Sequence, residues 1–326
     1  MPALEPACIE VIRPGFLTTV QDLGRTGYQR FGMPVGGAMD PIALCLANRL
    51  VGNADGAAAL EITVKGPEVL FVSDAIVALT GGDLSPMLNG KPARLWTAIW
   101  MSRGSTLSFG ERESGARQYL AIAGGIDVPA VLGSRSTHLR SRTGGFSGRA
   151  LAQGDIVSGG MPASRAARRI GESVPAKARP RYDRHPTLRV IPGPQDDGFA
   201  PEALETLVSS RYTISAESDR MGYRLTGLPL VHAAGADIIS DATPLGALQV
   251  PQNQQPILLM ADRQTTGGYP KIAVVITSDI PLAAQLMPGD TVGFSLTDLT
   301  GALNILREQR RWMDAAVPSS PTEAPR

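Results

Sequence analysis

The sequence is poor in the groups from which self-contained catalytic centres are most often built. Its 326 residues include three histidines, His138, His185 and His232, and two cysteines, Cys8 and Cys45. None of them stands at metal-ligand spacing from another, so a zinc site is not expected. Two cysteines give no disulfide framework and suit a reducing compartment. No Gly-x-x-x-x-Gly-Lys-Ser/Thr loop is present: Gly90-Lys91 runs into Pro92 and lacks the upstream glycine. The run Gly144 to Arg149 has the composition of a nucleophile elbow but not its Gly-x-Ser-x-Gly register. A Met-Lys-Met biotin-attachment site is also missing. Any use of ATP or carriage of biotin is therefore expected on other chains. Apolar runs fall short of a membrane span, and Met1 to Val11 has no basic stretch ahead of an apolar one, so no signal peptide is expected and the chain reads as cytoplasmic. The net charge of +1 gives no reason to expect a nucleic-acid or membrane-surface binder. Aromatics make up only 5%, which leaves the cores to aliphatic side chains. Lysine is scarce too: Lys65, Lys91, Lys177 and Lys271 are the only four among 31 basic residues, and the rest are arginines suited to bidentate carboxylate contacts.

What the chain has in quantity is turn residues, 36 Gly and 26 Pro. They break it into short apolar runs, which predict strands at Val69–Val72, Ile76–Leu79, Tyr119–Ala123, Ile257–Met260 and Ile272–Ile276. Helices are few. Asp40-Pro41 supplies a cap and a first-turn proline for one that buries Leu44, Ala47, Leu50 and Val51 and ends at Gly52. A second is expected over Pro201–Val208. A third, over Asp298–Asp314, carries Leu299, Leu303, Ile305 and Leu306 near one stripe. The predicted class is mainly β with a few helices, in barrels or sandwiches. Residues 1–160 form a first half and 187–314 a second. Between them, 161–186 is rich in Arg, Ala and Pro, and with Tyr182 as its one aromatic it reads as a solvated linker rather than a nucleic-acid patch. Residues 315–326 read as a disordered tail. The halves share a pattern: Glu111-Arg112, Gly115, Leu120–Ala123 and Ile126–Pro129 run in parallel with Asp262-Arg263, Gly267-Gly268, Ile272–Val275 and Asp279–Pro281. This supports a duplication.

Polar, glycine-rich clusters adjoin these strands. The first is Thr18–Gly27, continuing to Gly36–Asp40 and to Asn48 and Glu61. Ser218–Leu225 and Gly246–Pro251 are the next two. The densest is Asp262–Lys271, where Asp262, Arg263, Gln264, Thr265, Thr266, Gly267, Gly268, Tyr269 and Lys271 crowd ten residues. Glycine lets a ligand approach the backbone, Arg with Gln and Thr can hold a carboxylate, amide or ureido group, and an Asp can accept a proton. The alternative for each is a turn whose Asp and Thr satisfy local backbone groups. The first cluster divides evenly between the two, and the fourth favours function.

Taken together, the segments Thr19–Arg25, Gly37–Asp40, Gly124–Ile126, Leu132–Thr137, Asp219–Gly222, Gln249–Pro251 and Asp262–Pro270 resemble the second-subunit family of allophanate hydrolase-like, biotin-dependent carboxyltransferases. That family includes C-type subunits of bacterial ATP-dependent 5-oxoprolinase and an antagonist of a sporulation-kinase inhibitor. The resemblance runs over nearly all of Pro14 to Phe294. It departs at Gln254, where the family usually has glycine in the turn after Val250-Pro251. It implies two cyclophilin-like β-barrel domains, a first carboxyltransferase-family partner of B type, and a third, A-type partner of different fold. The implied reaction opens 5-oxo-L-proline to L-glutamate at the expense of ATP, used through the complex. Two alternatives stay open: transfer of a carboxyl group from carboxybiotin on another protein to urea or a related amide, and a regulatory binding protein that catalyses nothing. In the catalytic reading Asp262 is the acid or base, Arg220 and Arg263 hold carboxylate or phosphate oxygens, and Tyr269 and Gln249 orient the substrate. Arg25 and Asp40 either brace the first half or serve only to pin the helix that starts at Asp40.

Overall fold

The computed structural model describes residues 5–233 and 235–319. The chain is mainly β, with twenty strands and four α-helices among the described residues. All five strands expected from the apolar runs form, at Glu68–Phe71, Ala75–Asp83, Ser114–Ile122, Ile257–Leu259 and Lys271–Val275. The three expected helices form as well: α1 (Pro41–Leu50), α2 (Ala203–Ser209) and α4 (Leu299–Ala316). The short α3 (Ile280–Ala283) has too few residues to show a period.

The chain divides into two compact units. Among the described residues, the first comprises those up to Arg25, 40–181 and those from Arg311 onward; the second, 26–39 and those from Tyr182 to Arg310. This differs from a simple split into 1–160 and 187–314, because a segment of the first cluster, Thr26–Met39, packs with the second unit. Met39 lies in that unit's core. The stretch expected as a solvated linker also differs. Over 161–181 it belongs to the first unit, burying Ala166 and Val174 and bridging Thr97 to Ser173. Its arginines mask these two apolar anchors in a composition-based reading. The expected tail starts later than residue 315: α4 runs to Ala316, and Val317 is buried with its N–H on the Met313 carbonyl. The remainder of that expectation, 320–326, lies outside the described residues.

In the second unit seven strands close into a barrel. The ring is shut by Thr187–Pro192, which pairs antiparallel with Lys271–Val275 on one side and parallel with Thr291–Leu296 on the other. Its core is aliphatic, built on Leu188, Val190, Leu248, Leu258 and Ile272, with Tyr212, Tyr223 and Phe294 as the large members. The first unit takes a different form of the expected barrel: a six-stranded and a five-stranded sheet. Ile9, Val69 and Phe71 from one and Val20, Leu60, Ile62, Leu120 and Ile122 from the other share a single core.

The outer face of the five-stranded sheet is unusual. Register places Thr19, Glu61, Tyr119 and Thr80 in one row across four strands. All four are polar, and all are buried. Helix α1 covers them: the Thr80 hydroxyl donates to the Ala43 carbonyl at 2.7 Å.

Candidate functional site

The expected site residues fall into one set in the first unit and one in the second. In the first unit, Asp40 caps α1 by accepting from the Ala43 N–H at 2.9 Å, while Pro41 opens the helix. The Asp40 N–H donates to the Tyr119 hydroxyl at 2.8 Å, and that hydroxyl donates to Glu61 at 2.6 Å. Burial first, then the negative charge of Glu61, pushes the Tyr119 phenol well above its ordinary pKa. Arg25 is buried and donates to the carbonyls of Ser136 and Val131. Gly144 leaves room for it: a Cβ there would lie 2.6 Å from Nη2 of Arg25. Nearby, Asp22 binds the Ser134 and Ser136 hydroxyls and the N–H groups of Gly24 and Arg135. Through these bonds Arg25 and Asp40 each serve backbone groups of their own unit.

In the second unit the pairing of Gly222–Thr226 with Ile257–Leu259 continues past the strand ends. The Asp262 N–H donates to the Arg220 carbonyl at 2.9 Å. Their side chains therefore meet. Arg220 grips Asp262 with both arms of its guanidinium, Nε to Oδ2 at 2.9 Å and Nη2 to Oδ1 at 3.1 Å. Nη2 also donates to the Gly37 carbonyl at 2.6 Å. Both side chains are 7% exposed. Both carboxylate oxygens are thus taken up by the guanidinium, and the pair ties the strand ends to the Gly36-Gly37 turn.

Arg263, next in sequence, is also buried, but it donates to backbone carbonyls: Thr243 at 2.8 Å and Met260 at 3.4 Å. Burial pulls this guanidinium below its ordinary pKa. The loop beyond it returns along Asp241-Ala242, which pairs with Thr266-Gly267. Thr243 holds the loop at a second level, its N–H on the Thr265 carbonyl and its hydroxyl on the Gln264 carbonyl. The Gly268 carbonyl accepts from the Ile238 N–H at 2.8 Å. Gly267 lies close against Gln249: a Cβ there would sit 2.6 Å from its Nε2 and push the carboxamide aside.

Gln249 and Lys271 are cross-strand partners at a register shift, where a bulge re-aims the side chains. Gln249 is buried, accepting from Gln264 at 3.1 Å and donating to the Tyr269 carbonyl at 3.5 Å. Lys271 is fully buried. Its Nζ lies 3.2 Å from Oδ2 of Asp241. Tyr269 and Thr266 stand exposed at the edge of this group. Of the residues named from sequence, Gln249, Gln264, Thr265, Thr266, Gly267, Gly268, Tyr269 and Lys271 therefore share one corner of the barrel. Arg263 reaches it through Thr243, and Arg220 with Asp262 sits at its base. Two further members, Asp241 and Gln195, escape a sequence reading. Neither belongs to the clusters singled out from sequence, and the Asp241–Ala242 pairing and the Gly193 turn bring them in.

Among the described residues no group of three His, Cys, Asp or Glu side chains is placed to hold a metal ion, and no helix is long and apolar enough to cross a membrane.

Residues 31–296 match the family described as carboxyltransferase domain, subdomain A and B. The chain belongs to that carboxyltransferase-domain family. It is 39% identical to the C-type subunit of the 5-oxoprolinase of Escherichia coli (strain K12), over 94% of this chain and 96% of that one. It is 35% identical to the urea amidolyase of Lachancea kluyveri over 96% of this chain, but covers only 18% of that longer protein. Among solved structures, the urea amidolyase of K. lactis superposes with a TM-score of 0.88 at 32% identity, over 99% of this chain and 20% of that one. The family's resemblance segments thus coincide with the buried polar groups just described, from Asp22 and Asp40 in one unit to Asp262–Lys271 in the other.

Proposed function

We propose that this carboxyltransferase-family chain is the C-type subunit of an ATP-dependent 5-oxoprolinase. It works with a B-type subunit of its own family and an A-type subunit of different fold to convert 5-oxo-L-proline to L-glutamate in the cytoplasm. The observation that carries this reading is end-to-end similarity to the C-type 5-oxoprolinase subunit of Escherichia coli, with 96% of that relative covered. The polar corner of the second unit supports it. Gln249 and Gln264 present carboxamides complementary to a lactam, Lys271 and Arg263 are buried cations, and Tyr269 stands at the edge.

In this proposal Lys271, Gln249, Gln264 and Tyr269 bind and orient the substrate, with Thr265, Thr266, Gly267 and Gly268 forming the backbone around it. The acid–base role expected of Asp262 and the oxyanion-binding role expected of Arg220 give way to positioning. Each spends its side chain on the other, with both carboxylate oxygens of Asp262 accepting from the Arg220 guanidinium. ATP is assigned to the partner subunits. The sequence has no Gly-x-x-x-x-Gly-Lys-Ser/Thr loop of the kind that cradles nucleotide phosphates.

A second reading, carboxyl transfer from carboxybiotin on another protein to urea or a related amide, is favoured by the TM-score of 0.88 to a urea amidolyase. Co-purification with a B-type subunit, followed by turnover assays, separates the two. The proposal expects 5-oxoproline-dependent ATP hydrolysis and no carboxylation of urea. Urea-dependent consumption of carboxybiotin would select the second reading instead.

A further inference from the structure

Lys271 poses a problem of buried charge. Its ammonium is fully buried, on the strand that also closes the barrel. Asp241 approaches within 3.2 Å, close enough for an ion pair, yet the ammonium has no aligned hydrogen-bond acceptor among the described residues. A buried ammonium is tolerated when its N–H groups are met by well-placed acceptors. This one is met by a single misaligned carboxylate.

The counter-ion is itself loosely held. The Asp241 side chain is 50% exposed. It lies on a two-residue strand that pairs only with Thr266-Gly267, and Ile239 beside it is 94% exposed. Asp241 has other support: the Ala242 N–H at 2.7 Å and Nε2 of Gln195 at 3.2 Å. The Ala242 bond first, with Lys271 and Gln195 adding to it, holds its carboxyl below the usual range. It can therefore part from Lys271 and keep both hydrogen bonds, with water replacing the ammonium. Gln195 is fixed from the other side, where its Oε1 accepts the Lys271 N–H at 3.2 Å. The turn before it runs so close that a Cβ on Gly193 would lie 2.0 Å from the Lys271 carbonyl. One carboxamide thus sets the distance between the lysine backbone and the Asp241 carboxylate.

We infer that Lys271 is the subsite for a carboxylate group of a small ligand, that Asp241 is the counter-ion this carboxylate displaces, and that Gln195 positions Asp241. A full negative charge is selected over a neutral carbonyl because only it compensates a buried ammonium that has given up Asp241. Gln249, directly across from Lys271, is placed beside the same ligand. The inference rests on the site proposed above, but not on the identity of the substrate.

Binding to the purified full chain tests it, with 5-oxo-L-proline and L-proline as carboxylate probes and 2-pyrrolidinone as the neutral lactam. Wild type is expected to bind at least one carboxylate probe saturably, and 2-pyrrolidinone at least about tenfold more weakly. Lys271→Met is expected to abolish that preference and Lys271→Arg to restore part of it. Asp241→Asn leaves the buried Lys271 without its counter-ion, so its folded state is first checked by thermal denaturation; in the folded protein it is expected to tighten carboxylate binding several-fold without affecting 2-pyrrolidinone. Gln195→Ala, which frees Asp241, shifts the same ratio between the two probe types. Equal binding of lactam and carboxylate, weakening by Asp241→Asn, or no saturable binding of either carboxylate would overturn the inference. Lys271-dependent binding of L-proline but not 5-oxoproline would leave it standing while removing the proposed substrate.

Discussion

Arg220 and Asp262 show what a single buried pair commits the molecule to. Both are almost wholly buried, and each carries the other's compensating charge. Removing one partner strands a charge, so Arg220→Ala or Asp262→Asn should each cost about 3–5 kcal/mol in urea denaturation, while a combined Arg220→Met/Asp262→Leu change should cost less than the two single losses added together. Tyr119 makes a prediction about pH. Its phenol is raised well above 10 in the fold, and Tyr212 and Cys45 are each pushed up to about 12, all three chiefly by burial. A raised acid keeps its proton longer in the folded chain, so its stabilising contribution is complete below the unfolded pKa and declines as pH climbs through the folded value. Stability should therefore begin to fall as pH rises past about 9, through Cys45, and fall more steeply past about 10, through the two tyrosines. Tyr119→Phe should flatten that alkaline loss, but at neutral pH it should cost about 1–3 kcal/mol by removing the hydroxyl that links the Asp40 N–H to the Glu61 carboxylate. Gln254 stands where the family usually places glycine. It adopts φ of 58°, and the turn keeps its bonds to Pro251 and Leu230. Gln254→Gly should raise the melting stability by up to about 1 kcal/mol, the left-handed strain relieved less the glycine's extra unfolded freedom.

At the scale of the element, α1 joins sequence signal to structure most directly. Asp40, Pro41 and the buried stripe were legible because capping chemistry and a 3.6-residue period are local. Asp40→Ala should lower stability by about 1–2 kcal/mol and Asp40→Asn by less, since asparagine keeps an acceptor for the Ala43 N–H; thermal denaturation of the two variants side by side reads the difference. Helix α4 was equally legible as a helix, but its stripe faces outward to a degree the period does not reveal: Leu299 and Leu303 are 64% and 42% exposed. Periodicity shows that a face exists, not what covers it. The polar row Thr19–Glu61–Tyr119–Thr80 stayed hidden for a related reason. Its members come from four strands, and only the inter-strand register assembles them. The fourth polar cluster was visible because it is contiguous. Asp241 and Gln195 were not, because the sequence separates them from Lys271 by 30 and 76 residues.

For the whole molecule, strand content and class followed from the alternation of short apolar runs with Gly and Pro. The division into units did not. A boundary drawn from composition assumes contiguous halves, whereas here Thr26–Met39 folds with the second unit and 161–181 with the first. Two buried apolar residues, Ala166 and Val174, outweigh the Arg-rich composition around them. Each unit has its own core and its own buried polar group. In the second unit that group gathers Lys271, Gln249 and Gln264 at one corner of the barrel. The end-to-end similarity to a C-type 5-oxoprolinase subunit is the basis for proposing that the chain is one subunit of an amide-opening, ATP-dependent assembly. The direct measurement is glutamate formation from 5-oxo-L-proline and ATP by a complex reconstituted from this chain with B-type and A-type subunits. The account predicts turnover that disappears when this chain is omitted and falls at least about a hundredfold with Lys271→Met. Full turnover by the two partner subunits without this chain would contradict it.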